Sequence, residues 1–67
     1  MDVFKLLAIE DGLIRIFSNG DVSGDHTRFT LEQLVPAQAV GFLMANGWIA
    51  HCLGSDYGQF YVCRKDK

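Results

Sequence analysis

The segment from Ala37 to Met44 carries one polar side chain, Gln38, and is followed by Asn46-Gly47, a pair typical of a helix C-terminus. A helix that is apolar nearly all round is usually buried on more than one side. A chain of 67 residues is hardly long enough to surround such a helix, because so small a core barely offsets the conformational entropy lost on folding. The sequence therefore predicts that part of the apolar surface is covered by another chain.

The amino-acid composition also indicates that another chain covers part of the apolar surface. Hydrophobic residues make up 49% of the chain and charged residues 21%, which favours an oligomer or a bound partner. The six basic residues are scattered and the formal net charge is −2, whereas binding to nucleic-acid phosphates needs a concentrated basic face. Nucleic acid is therefore disfavoured as a partner.

The two cysteines, Cys52 and Cys63, are too few for a disulfide scaffold, and the first residues lack the basic-then-apolar layout of a secretory signal. We therefore expect free thiols and a cytoplasmic protein. The most apolar stretch, residues 37–50, is interrupted by Gly41, Asn46 and Gly47 and falls short of the ~18 apolar residues that cross a bilayer. We expect no membrane partner and one domain over residues 1–67.

Two runs of branched and aromatic residues, 3–9 and 13–17, flank Asp11-Gly12, which has the chemistry of a type I′ hairpin turn. This pattern predicts a first β-hairpin with apolar side chains on both faces. Asn19-Gly20 is a second turn signal, and it predicts a short third strand over residues 21–23.

Thr30 with Gln33 three residues later predicts a capping box, so a helix is expected to begin at Leu31. Pro36 either kinks this helix or restarts it with the proline in a first turn. Residues 48–53 and 59–65 predict a second hairpin around the polar loop 54–58. The predicted fold class is α+β: a two-layer sandwich in which one kinked or broken helix packs on an antiparallel sheet of four to five strands, in the order β-β-(β)-α-β-β.

The segment Met44-Ala45-Asn46-Gly47-Trp48, followed by a strand, Gly54-Ser55 and another strand, resembles a stretch of the HicA family of small RNA-cleaving toxins. The resemblance covers about a third of the chain and implies a helix followed by a hairpin. In that family a histidine after the Gly-Ser pair carries cleavage, whereas Asp56 and Tyr57 stand there in this chain. The resemblance thus gives no support for nuclease activity.

No motif predicts an enzyme or a cofactor. His51 and Cys52 are neighbours on a predicted strand, so their side chains point to opposite faces, although His51 could approach Cys63 diagonally across the hairpin. The histidines and cysteines lack the short paired spacings of a zinc site. We predict no catalytic residue, metal or cofactor.

The leading hypothesis is a small non-enzymatic interaction module or regulator, a homodimer that presents an apolar surface to another protein. It fits the small regulators and inhibitors that phages and mobile elements encode. The predicted partner-binding residues are Phe4, Leu6, Phe17, Phe42 and Met44. The alternative is a nucleic-acid-binding module that uses the C-terminal hairpin, with Tyr57, Tyr61, Arg64 and Lys65 as contacts.

Overall fold

The computed structural model describes residues 1–56 and 58–65. Within them the chain forms two helices and five strands: α1 (Asp2–Leu7), β1 (Leu13–Phe17), β2 (Asp21–Gly24), β3 (Arg28–Thr30), α2 (Pro36–Ala45), β4 (Trp48–Ser55) and β5 (Gly58–Lys65).

The five strands form one antiparallel sheet in the order β3-β2-β1-β5-β4. The predicted α+β class is confirmed, as are the strand expected over residues 21–23, which is β2, and the second hairpin. β3 was not predicted. The hairpin is longer than predicted, because Gly54 pairs with Gln59 and Ser55 with Gly58, so the connection is shorter than the expected loop. The helix-then-hairpin shape that the family resemblance implied is present as α2, β4 and β5.

The N-terminal segment corrects the sequence prediction, because residues 2–7 form a helix and not the first strand of a hairpin. Tertiary contacts override the β-propensity of Val3 and Phe4 here. Leu6 and Ile9 enter the core, and the buried Asp2 carboxylate accepts hydrogen bonds from the loop that precedes α2. These positions have helical spacing, which a strand could not bury together.

The second helix begins at Pro36 and is one continuous element. The predicted start at Leu31 is wrong, whereas the alternative of a helix with Pro36 in its first turn is confirmed. Proline suits the first helical position because that backbone N–H has no partner inside the helix. The Thr30 capping box does not form: Thr30 lies in β3 and its hydroxyl donates to Asp21 Oδ1 at 2.9 Å. Gln38 instead caps the helix, since its Oε1 accepts the Val35 N–H at 3.1 Å.

The core lies between the helices and one face of the sheet. It contains Leu6, Ile9, Ile14, Ile16, Val22, Leu31, Ala39, Val40, Leu43, Trp48 and Cys63. Neither α1 nor α2, the helices of the described residues, has the length and apolarity needed to cross a bilayer. Both helices pack on the same side of the sheet as this core.

Candidate protein-interaction surface

The described residues leave the sheet face opposite the helices uncovered. Side chains alternate along each strand, so Leu13, Arg15 and Phe17 of β1 point away from the buried Ile14 and Ile16. The strand registers bring side chains of all five strands onto this face. We call it the open face: its apolar members are Leu13, Phe17, Ile49, Leu53, Phe60 and Val62, and its polar and charged members are Arg15, Asp21, Ser23, Arg28, Thr30, His51 and Arg64.

One row of the open face is aromatic and aliphatic. Phe17 on β1 pairs with Phe60 on β5, which pairs with Leu53 on β4. The two rings pack with centroids 5.6 Å apart and planes tilted by 32°. Phe17 is 36% exposed and Leu53 45%. Large side chains this exposed and this close together are typical of the anchors of protein interfaces.

The charge of the open face is positive, although the whole chain is acidic. Arg15 and Arg28 both flank Ser23 across the β1-β2-β3 ladder, and Arg64 lies opposite Leu13 and Ile49. Asp21 is the one carboxylate among the members of this face. Because opposite potentials attract across an interface, the surface favours a partner with acidic side chains around apolar ones.

Two shallow hollows adjoin Phe17. The first, of about 390 Å³, also contacts Arg28, Phe29 and Thr30. The second, of about 380 Å³, extends to Gly58 and Phe60. Hollows of this size beside an exposed ring offer places where a partner's side chains would be seated.

The carboxylate of Asp2 stabilises the fold and does not lie on this face. Asp2 is buried, and its Oδ2 accepts the backbone N–H groups of Glu32, Gln33 and Leu34 at 3.0, 2.6 and 2.8 Å. These bonds, that of Leu34 first, lower the pKa of Asp2 below the ordinary carboxyl value, against the opposing effect of burial. Asp2 therefore stays ionised and fastens α1 to the loop before α2.

A second buried carboxylate, that of Asp11, holds the β2-β3 loop in place. Its Oδ2 accepts the backbone N–H of His26 at 3.1 Å and of Thr27 at 2.9 Å. Burial acts to raise the pKa of Asp11, but these bonds outweigh it and the pKa is lowered. The predicted type I′ turn at Asp11-Gly12 is thus replaced by a loop held through its aspartate.

The predicted partner-binding residues do not form one patch. Phe17 lies on the open face, Phe4 is 67% exposed on α1 and Met44 is 56% exposed on α2. Leu6 is 2% exposed, and the prediction that it lies on the surface is wrong because α1 turns it into the core. Phe42 is half-buried and packs against the core.

The residues of the nucleic-acid alternative are also separated. Arg64 lies on the open face, but Tyr61 is half-buried against the core and Lys65 pairs with the buried Trp48 on the helix-facing side. Tyr57 lies outside the described residues. A single platform of these four residues is therefore not assembled by the part of the hairpin that the structure describes.

His51 and Cys63 are not brought together. His51 pairs with Val62 on the open face, whereas Cys63 pairs with Ala50 on the helix-facing side and is fully buried. Burial raises the pKa of the Cys63 thiol to about 11, which opposes thiolate chemistry. Among the described residues no group of three or more His, Cys, Asp or Glu side chains is placed to hold a metal ion.

Five apolar members of the open face are absent from the predicted partner-binding residues: Leu13, Ile49, Leu53, Phe60 and Val62. The alternation is visible at Ile49 and Val62, which lie next to the more buried Trp48 and Cys63. Recognising it required the register of the second hairpin, which the turn residues alone left open.

Comparison of the chain with protein-family models, with curated proteins and with solved structures gave no match.

Proposed function

We propose that this chain is a small non-enzymatic protein-interaction module or regulator, which works in the cytoplasm as a homodimer and binds another protein through its open face. The row formed by Phe17, Phe60 and Leu53 carries this proposal. The helices cover the opposite side of the sheet, and no described segment packs over this row.

The chemistry of the open face supports a partner that is apolar at its centre and acidic at its rim. Arg15, Arg28 and Arg64 provide cations around the apolar row, and an arginine guanidinium forms paired hydrogen bonds with a carboxylate. Aromatic anchors supply most of the binding free energy at such interfaces, while rim charges raise the association rate.

A second candidate function is the binding of single-stranded nucleic acid on the same face. The observation that favours it is the exposed Phe17-Phe60 pair, which lies on the neighbouring strands β1 and β5 with Arg15 beside it. Single strands bind where aromatic rings stack on bases and cations track the phosphates. The net charge of −2 and the mutual packing of the two rings make a protein partner the better proposal.

The experiment is affinity capture with three forms of the immobilised protein. They are the wild type, the open-face variant Phe17→Thr/Phe60→Thr and a control variant, Phe4→Ser, which removes an equally apolar side chain from α1. Threonine keeps β-propensity at the strand positions, and circular dichroism verifies that each variant is folded.

We expect the immobilised wild type to capture a protein that remains bound after nuclease treatment. The open-face variant should not capture this protein, whereas the control variant Phe4→Ser should. A set of bound proteins unchanged by the open-face variant would contradict the proposal. Loss of all bound material on nuclease treatment would instead favour the nucleic-acid candidate, which is then tested by the salt dependence of binding to a fluorescent oligothymidine.

A further inference from the structure

We propose that two copies of this chain pair through the outer edge of β4, which joins their sheets into one. This inference rests on the homodimer part of the proposed function and names the surface that forms the dimer. β4 ends the strand order of the sheet, and within residues 1–56 and 58–65 no strand pairs with its outer edge. An edge of eight residues leaves a long row of backbone N–H and C=O groups available to another strand.

The β4 edge lacks the features that keep edge strands from pairing. Such edges are usually short or carry lysine, other charges, proline or a bulge. Residues 48–55 include no Asp, Glu, Lys, Arg or Pro. The opposite edge, β3, is protected, because it has three residues and begins with Arg28. The sheet therefore has one edge suited to continuation.

A second copy of β4 is a suitable occupant, because a neutral strand meets its own copy with no like charges opposed. In an antiparallel pair about a twofold axis, opposed residues share a face. A register centred on His51 places Ile49 opposite Leu53 of the second copy, so the 45% exposed Leu53 gains an apolar neighbour. This register pairs nearly the whole strand.

Helix α2 lies on the same side of the molecule and fits this arrangement. α2 packs against β4 and also contacts β5 and β1 on the helix-facing side of the sheet. α2 carries the exposed Ala37 and the 56% exposed Met44.

A charge swap at the proposed axis tests the inference. His51 is exposed, and in this register it meets its own copy, so His51→Lys and His51→Glu each oppose like charges. We expect each variant alone to raise the dissociation constant of the dimer at least tenfold, and an equimolar mixture to restore the dimer. The matched controls are His26→Lys and His26→Glu, at an exposed histidine in the β2-β3 loop, which should leave the dissociation constant unchanged. Sedimentation velocity gives the dissociation constants.

Cross-linking gives a second measurement that does not depend on the His51 variants folding. Cys52 is a free and exposed thiol on β4. In the proposed register it lies diagonal to Cys52 of the second copy, about 7–8 Å away. An ethylene-bridged bismaleimide should therefore join two wild-type chains covalently, and Cys52→Ser should abolish the product.

A wild type that stays monomeric at high micromolar concentration, or a dimer unaffected by both His51 variants, would overturn the inference. Loss of the dimer in Phe17→Thr/Phe60→Thr, with the His51 variants still dimeric, would overturn it in favour of pairing through the open face. Failure to capture a partner protein would count against the proposed function and not against the β4 dimer, so the two failures are distinguishable.

Discussion

Replacing Gly24 with alanine should destabilise the protein, whereas the same change at Gly12 should not. A Cβ added at Gly24 would overlap Asp11 Oδ2 and lie 3.2 Å from Asp11 Cγ and 3.0 Å from Ile14 Cγ2. Asp11 cannot move aside without losing the two backbone hydrogen bonds that hold the β2-β3 loop, and Ile14 is fully buried. At Gly12 no heavy atom lies within 4 Å of the new Cβ.

The expected change in the free energy of unfolding is the balance of two opposing effects. Overpacking a well-filled site costs about 1–3 kcal/mol, while the loss of glycine freedom in the unfolded chain returns about 0.4–1 kcal/mol. At the middle of both ranges, Gly24→Ala should lower the free energy of unfolding by about 1.3 kcal/mol, or Tm by about 5–10 °C for a domain of this size. Gly12→Ala only reduces the freedom of the unfolded chain, since Gly12 does not have a positive φ. It should therefore raise the free energy of unfolding by up to about 1 kcal/mol.

Urea unfolding followed by the fluorescence of Trp48 measures both changes, because this single tryptophan is buried. The cause is checked by repeating Gly24→Ala in an Asp11→Ala background, where the overlapping carboxylate is absent. The cost of the alanine should then fall. Equal costs in the two backgrounds would refute the proposed overlap.

Three further predictions concern the fold. The ionised form of Asp2 stabilises the folded protein at every pH above the ordinary carboxyl pKa, and this stabilisation should be lost as the pH falls through the lowered pKa of the folded state. In Asp2→Asn, the free energy of unfolding should therefore depend less on pH in this acidic range. In the native protein a thiol reagent should modify the exposed Cys52 quickly and the buried Cys63 only on unfolding, which stopped-flow absorbance measures. Leu6→Ala should lower the free energy of unfolding by about 2–5 kcal/mol and Leu7→Ala by no more than about 0.5 kcal/mol, because their exposures are 2% and 56%. Comparable costs in urea unfolding would contradict the placement of Leu6 in the core and Leu7 on the surface.

The sequence predicted the elements whose boundaries are set by local chemistry. Asn19-Gly20 marked the turn before β2, Asn46-Gly47 the end of α2, and the glycine-rich loop the hairpin of β4 and β5. Gly47 has a φ of +90°, which few other residues adopt without strain. Such residues carry their signal within a few positions of the chain.

The errors arose where partners distant in sequence decide the structure. α1 is stabilised by Asp2 bonds to residues 32–34 and by burial of Leu6, neither of which the first ten residues reveal. Thr30 has a capping sequence, but Asp21 accepts its hydroxyl and holds it in β3. Among the members of the open face, only Phe17 and Arg64 were predicted as contacts, because the composition of this face depends on which strands become neighbours.

We propose two separate surfaces on this chain: the β4 edge for self-association and the open face for partner binding. Light scattering across a dilution series, on the wild type and on Phe17→Thr/Phe60→Thr, distinguishes the two surfaces. We expect a mass twice that of one chain at low micromolar concentration for both proteins. A single-chain mass at every concentration, or a dimer lost with the open-face variant, would contradict this proposal.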